Sequence, residues 1–397
     1  MIQLCALCVA PLTVESRSVE HVIPQAIGGH LKVDDFLCAA CNNRTGTAWD
    51  AALVRQFAWF NLSLGVRRER GEHPAMLVTL TDGERLMLEP EGRLVPKDPV
   101  LHRAEDGTVV SITARSMEDA KAILAGMKRK RPEVDVPQTL AAATPERHYP
   151  TAPMHLPIRL GEPAPTASIV KTALAFAHLQ GVTSSACDMA LRFLRGSEDR
   201  SLFRLHYASD LVTDRPANRV THILGIRADP VSGVCIAYVE YFSFQRAVVI
   251  LTRSYEGPPV HATYAVDPET SEELSLTVSL AMSTAEVDGL PTPDAVEYAH
   301  MTAALNGVLP IVLDRNERRH RRQVVDEAVA EGIAAVGVSD VNNMTPAQHQ
   351  AFAHHVSKAV AERVTEQAKA DLAIHYAIAA IRSQDDGEPD GGPASSQ

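Results

Sequence analysis

The chain has 397 residues, 45% of them hydrophobic and 22% charged, and carries a formal net charge of −11. That length supplies two or three domains with cores of their own, and the absence of any run of about 18 apolar residues excludes an ordinary membrane-spanning helix. The acidic balance excludes wholesale attraction to polyphosphate, which rests on Lys and Arg.

The opening residues, Met1 to Pro11, are apolar but lack a basic leader, so no signal peptide is expected and the expected location is cytoplasmic. Six cysteines occur, and Cys5, Cys8, Cys38 and Cys41 form two C-x-x-C pairs within the first 41 residues. Two such knuckles offer four thiolates at a spacing that wraps one tetrahedral Zn²⁺. A segment so small has little core, so metal supplies much of its folding free energy. Cys187 and Cys235 stand alone in apolar surroundings and read as small core residues. Through Glu72 the chain carries seven basic and seven acidic residues, so this segment is neutral before metal is counted.

Between the knuckles, Val19, Val22 and Ile23 mark a strand that carries Glu20 and His21 and ends at Pro24, and Gly28-Gly29 permits a sharp return of the chain. Neighbouring strand residues face opposite sides, so Glu20 and His21 meet around one ion only through a bend, a bulge or approach from different sides. From Thr47 the spacing of Ala51, Ala52, Leu53, Phe57, Phe60, Leu62 and Leu64 predicts an amphipathic helix ending near Gly65, ahead of Arg67, Arg68 and Arg70.

Residues 76 to 96 alternate around Asp82-Gly83 and Glu91-Gly92, as hairpins do; 108–113 read as a strand and Met117 to Met127 as a helix. Residues 132–166 are rich in Pro, Ala and Thr and read as a linker or irregular cover. Two helices follow, one with Ile169, Ala173, Leu174 and Ala177 on one side and ending at Gly181, the other capped by Ser184 and stopping at Gly196. Three strands between Val220 and Thr252, turning near Asp229-Pro230 and Ser243, imply an antiparallel sheet covered by those helices. Thr345-Pro346 pairs an N-cap with a first-turn proline and opens a helix toward Ile381. The expected segments are thus 1–72, 73–150 (β-rich with one helix), 151–344, 345–382 and a disordered acidic tail, 383–397, holding Asp385, Asp386, Glu388 and Asp390.

The run Glu20-His21-Val22-Ile23-Pro24, then Gly28-Gly29, then Cys38-x-x-Cys41-Asn42, resembles the HNH endonuclease superfamily, in its zinc-bearing branch with a terminal Asn. The likeness covers Cys5 to about Asp50 and implies a ββα-metal nuclease module with a structural zinc on the four cysteines. It implies His21 as general base and Glu20 and Asn42 as ligands of one catalytic Mg²⁺ or Mn²⁺, hard oxygen donors suiting a hard cation. Two departures stand out. Asn42 occupies a position where many members carry His, and the middle Asn that orients the base has no clear counterpart in Val33-Asp34-Asp35-Phe36, so that Asp34 or Asp35 substitutes or nothing does. Asn43 is an alternative ligand.

Arg44 is a candidate phosphate contact, equally readable as a solvated helix start; Lys128 to Arg131 and Arg315 to Arg322 are candidate backbone-phosphate clusters. Trp49 and Asp50 are expected to dock the first helix on the zinc module. The expected fold class is α+β: an N-terminal zinc-bound HNH module, then a larger mixed accessory region with an antiparallel sheet and C-terminal helices. Two functions compete: a metal-dependent endonuclease or nickase acting on DNA, as in phage defence or a mobile element, and a zinc knuckle that binds nucleic acid or protein without cutting. No signal sets the oligomeric state.

Overall fold

A computed structural model describes residues 3–107, 109–144, 149–156, 158–295, 298–339 and 341–385. The acidic residues from 386 onward lie outside the described residues. The fold is α+β, and it divides by compactness into two units. The first comprises Met1–Pro74, Pro90–Gly92 and Ile158–Asn316, so the cysteine-rich segment shares a unit with residues that composition had set apart as 151–344; the second comprises Ala75–Glu89, Arg93–Pro157 and Glu317–Gln397.

The first unit begins with strands β1 (Arg17–His21) and β2 (Lys32–Cys38), paired antiparallel, and helix α1 (Ala39–Thr45). A π turn over Gly46–Asp50 leads into α2 (Ala51–Gln56) and α3 (Ala58–Leu64). The single helix expected from Thr47 is therefore broken. Phe57, at φ −100° and ψ 16°, interrupts it so that both Phe57 and Phe60 turn into the core, and Gly65 ends it in the left-handed conformation.

Helix α4 (Pro163–Leu179) and α5 (Asp188–Leu194) precede a five-stranded antiparallel sheet. Its strands are β3 (Phe203–Leu205), β4 (His222–Asp229), β5 (Val234–Tyr241), β6 (Gln245–Thr252) and β7 (Val260–Val266), in the order β7-β4-β5-β6-β3. The three strands expected here are thus the centre of the sheet, with β7 and β3 added at its edges. Helix α4 starts earlier than its pattern suggested, inside the segment expected to be irregular, because Pro163 sits in its first turn where a missing N–H costs nothing. It is also not one-sided. Every residue from Pro165 to Ala177 is buried, since α4 touches β2 and α2 as well as strands β4 to β6. Ser184 does not cap α5; its hydroxyl instead pairs with His178 Nδ1 at 3.0 Å.

One continuous hydrophobic core runs from Cys5, Val22, Phe36 and Leu53 through Val170 and Phe176 to Tyr238 and Val249. Aromatic contacts bind α2 and α3 to the β5–β6 turn: Phe57 lies 5.2 Å from Phe242 and Phe60 stacks on it at 5.0 Å. The turn after Pro24 is equally tight. A Cβ on Gly29 would lie 1.9 Å from the Ile23 carbonyl oxygen, and Gly28, at φ +94°, would meet Pro268 at 2.6 Å.

His222 of β4 ties this turn to the sheet. Its Nε2–H donates to the Ile27 carbonyl at 2.5 Å and its Nδ1 accepts from the Phe242 N–H at 3.0 Å, so the neutral ring satisfies both sides. Complete burial lowers its pKa from 6.5 to about 4. The unfolded chain therefore binds the extra proton between those values. Its contribution is complete above 6.5 and is lost as pH falls toward 4, about 3 kcal/mol in all. Urea unfolding at pH 7 and pH 4 should show this loss in the wild type, and His222→Gln should remove that component; an unchanged pH slope in the variant would count against it.

The second unit holds a four-stranded antiparallel sheet ordered Leu94–Pro96, Arg85–Leu88, Met76–Leu80, Met154–His155, and a separate hairpin of Val100–Arg103 with Val109–Thr113. Helix Met117–Lys128 is capped by Ser116, whose hydroxyl accepts from the Asp119 N–H at 3.2 Å, and a short helix, Val136–Ala141, lies within the stretch expected to be a linker. The long helix Tyr298–Val336 ends in this unit and packs on Pro346–Asp385: Arg363 donates to the Val324 carbonyl at 3.2 Å and pairs with Glu331. Thr345 caps the last helix as expected, its hydroxyl accepting from the Gln348 N–H at 3.3 Å. Among the described residues, no helix is long and apolar enough to cross a membrane.

Candidate metal centre and the Glu20-His21 strand

The first knuckle is a tight loop: the Cys5 N–H donates to the Ala10 carbonyl and the Val9 N–H to the Cys5 carbonyl. The second straddles the end of β2 and the first turn of α1, which carry Cys38 and Cys41. The four Sγ atoms lie within 4.8 Å of one another, with Cys8 and Cys38 at 3.7 Å. A zinc ion with about 2.3 Å bonds to sulfur at tetrahedral angles sets its sulfurs about 3.8 Å apart, so the cluster fits Zn²⁺. Among the described residues it is the one group of three or more His, Cys, Asp or Glu close enough to share an ion.

Backbone supports the thiolates. Burial alone would raise the Cys5 thiol, yet N–H groups from Cys8, Cys38 and Leu7 bring it down to about 7. Burial and the crowding of neighbouring sulfurs push the Cys41 thiol up. Arg195 of the segment after α5 braces the first knuckle by donating to the carbonyls of Ala6 at 2.8 Å and Leu7 at 3.1 Å.

The β1–β2 ladder is irregular just ahead of Glu20. Ser18 pairs with Leu37 but Glu20 with Val33, so Asp34, Asp35 and Phe36 together face Val19. This bulge consumes the stretch considered as a replacement for a middle Asn. Asp35 accepts from Gln3 at 2.8 Å and contacts His178 Nε2 at 3.1 Å, and Asp34 lies 3.7 Å from Arg17. None of these three contacts involves His21.

Beyond the bulge the strand alternates. Glu20 is 4% exposed, while His21 is partly exposed on the opposite face, its Nε2 3.3 Å from Glu69 Oε1. Burial lowers the His21 pKa, the Lys32 charge acts in the same direction, and Glu69 opposes both, so the neutral ring is favoured. Glu69 in turn accepts from Lys32 Nζ at 3.1 Å.

Asn42 docks on the same strand, its Nδ2 donating to Ser18 Oγ at 2.7 Å and to the Val19 carbonyl at 3.2 Å. The amide is thereby fixed beside the residue preceding Glu20. Asn43 is exposed, and Arg44, also exposed, reaches Cys41 Sγ at 3.7 Å. Asp50 joins the module to α4, accepting from Ser168 Oγ at 2.6 Å.

The arrangement that the sequence did not announce centres on Lys171. This residue of α4 is 0% exposed, and its Nζ donates to Glu20 Oε1 and Asp50 Oδ2, each at 2.5 Å. Burial works against its charge, but the two carboxylates outweigh it and hold its pKa above that of an ordinary lysine. Burial pulls the Glu20 carboxyl upward, opposed by Lys171. Removing one partner from such a buried set costs about 3–5 kcal/mol. The signal in the sequence was faint: a single lysine inside the run Ile169 to Ala177. Glu69 was hidden too, lying within a cluster of arginines.

A cavity of about 430 Å³ lies elsewhere in the unit, lined by Tyr207, Asp210, Arg215, Arg246 and His300. Arg215 is spent on Asp210 at 2.7 Å and Glu240 at 2.6 Å.

Residues 5–58 match a family described as HNH endonuclease. The match covers both knuckles, the Glu20-His21 strand, Asn42 and α2, and the four cysteines within it are positioned for zinc. No curated protein and no solved structure matches the chain.

Proposed function

We propose that the protein is an endonuclease that hydrolyses phosphodiester bonds in DNA, with His21 as the base that activates water. The observation that carries the reading is the conjunction, inside the matched segment, of a ββα unit with four cysteines placed for zinc, an imidazole on β1, and Asn42 of α1 anchored to that strand. A half-buried imidazole whose pKa lies below its ordinary value keeps its lone pair at neutral pH, which a general base needs. Glu69 Oε1 lies 3.3 Å from Nε2 without a hydrogen bond between them, so it acts on the ring through its charge. Arg44 and Arg67, exposed near the module's surface, would meet phosphate oxygens.

The resemblance assigns Glu20 and Asn42 to one Mg²⁺ or Mn²⁺. Their oxygens are of the right kind, but the Glu20 carboxylate is already paired with the Lys171 ammonium, so the two residues do not present an open divalent site in this conformation. What the chain's own residues supply is the base and the strand that carries it.

A second reading, a zinc knuckle that binds nucleic acid without cutting, is favoured by that same Glu20–Lys171 pairing. Incubating supercoiled plasmid with the zinc-loaded protein, with Mg²⁺ or Mn²⁺ present and then chelated, separates the two. Nicking that disappears on chelation supports the nuclease; a gel shift without nicking under every condition overturns it in favour of binding alone.

A further inference from the structure

We propose that the cavity beside the five-stranded sheet is a binding site for a small organic anion, a phosphate or carboxylate group on an apolar body no larger than a mononucleotide. The inference is independent of the nuclease reading, because every residue that lines the cavity lies outside the matched segment.

The cavity of about 430 Å³ falls within the span of about 300–1,000 Å³ usual for small-molecule sites. Its polar end holds donors that the described residues leave idle. Tyr207, just after β3, is 8% exposed, and its hydroxyl has no hydrogen-bond partner among them. Burial pushes the pKa of that hydroxyl up, so it stays a donor. Arg246 of β6 comes no nearer than 3.3 Å to Glu240 Oε2 and 3.9 Å to Asp210 Oδ2, and its buried Nε makes no hydrogen bond.

The two carboxylates are already served by other groups. Asp210 accepts from Arg215 Nε at 2.7 Å and Nη2 at 2.9 Å, and from the Val212 N–H at 3.0 Å. Glu240 accepts from Arg215 Nη1 at 2.6 Å and Nη2 at 2.8 Å, and from the Tyr238 hydroxyl at 2.6 Å. Two guanidiniums and two carboxylates leave this end neutral, so directed donors rather than net charge select the ligand. A guanidinium beside a hydroxyl suits an oxyanion, whose oxygens take parallel N–H bonds. The facing wall is apolar. Ala304, Val308 and Ile311 of the helix Tyr298–Val336 line it at helical spacing. Gly307, exposed at its mouth, keeps the entrance open, for an added Cβ there would meet nothing within 4 Å.

Calorimetric titration of the zinc-loaded full-length protein, without added divalent ion, tests this with adenosine monophosphate and benzoate, and with adenosine and benzyl alcohol as their uncharged counterparts. At least one anion should bind at one equivalent, about tenfold or more tightly than its counterpart, and which of them binds distinguishes phosphate from carboxylate. Tyr207→Phe removes a hydroxyl that has no partner to lose, so the melting temperature should hold while binding weakens severalfold. Gly307→Leu fills the mouth without a clash and should abolish binding in a chain that still melts cooperatively. Three results overturn the proposal: no anion bound up to about 10 mM, an uncharged counterpart bound as tightly as its anion, or binding that both variants leave unchanged, which places the anion elsewhere on the chain.

Discussion

Replacing His21 with alanine should lower plasmid cleavage by between about 10²- and 10⁴-fold, the range that a positioned general base contributes. The ring is partly exposed on the face of β1 opposite the buried Glu20, and its neighbour is the solvent-facing Glu69. Its removal therefore leaves the core intact, and zinc content and melting temperature should stay close to wild type. That combination separates a chemical role from a structural one. Cleavage that persists in His21→Ala at the wild-type rate, with the same metal dependence, would show that water is activated elsewhere.

The second large effect concerns the cysteines. Cys5, Cys38 and Cys41 are buried and belong to the same core as Val22, Phe36 and Leu53. A zinc site in a small unit is worth on the order of 10 kcal/mol of folding free energy at neutral pH. Cys41→Ser, or chelation of the wild type, should release about one equivalent of zinc and lower the unfolding temperature by many degrees. The loss should also reach the sheet region, because α4 packs against β2 on one side and β4 to β6 on the other. Zinc analysis beside a thermal melt decides this; a chain that holds no zinc, or melts identically without it, would contradict the metal-braced module.

The two knuckles, the Glu20-His21 strand and the Asn after Cys41 could be read from the sequence because each is local: ligand spacing, a strand ended by Pro24, and a glycine pair whose second member sits against the Ile23 backbone. Local patterns also marked the three central strands and Thr345 as a cap. The break at Phe57 was not readable, since it serves a cluster with Phe242 and Phe244 nearly two hundred residues on. The two-sided burial of α4 was misjudged for a related reason: alternating faces can be counted, but what covers the second face is a tertiary matter. Lys171 shows the limit most clearly. A lysine in an apolar helix looks like a solvated edge until the strand bearing Glu20 is laid against it. The missing middle Asn is the reverse case, a gap in a motif whose residues turn out to form a bulge while Glu69 stands beside the imidazole.

The continuity of the core through α4 bears on whether the matched segment can stand alone. A cassette that ends at residue 74 would carry away one wall of a shared interior and leave Phe57, Phe60 and the back of β2 facing water. Any transplant must bring α4 and its sheet along, and with them the lysine that sits on the carboxylate.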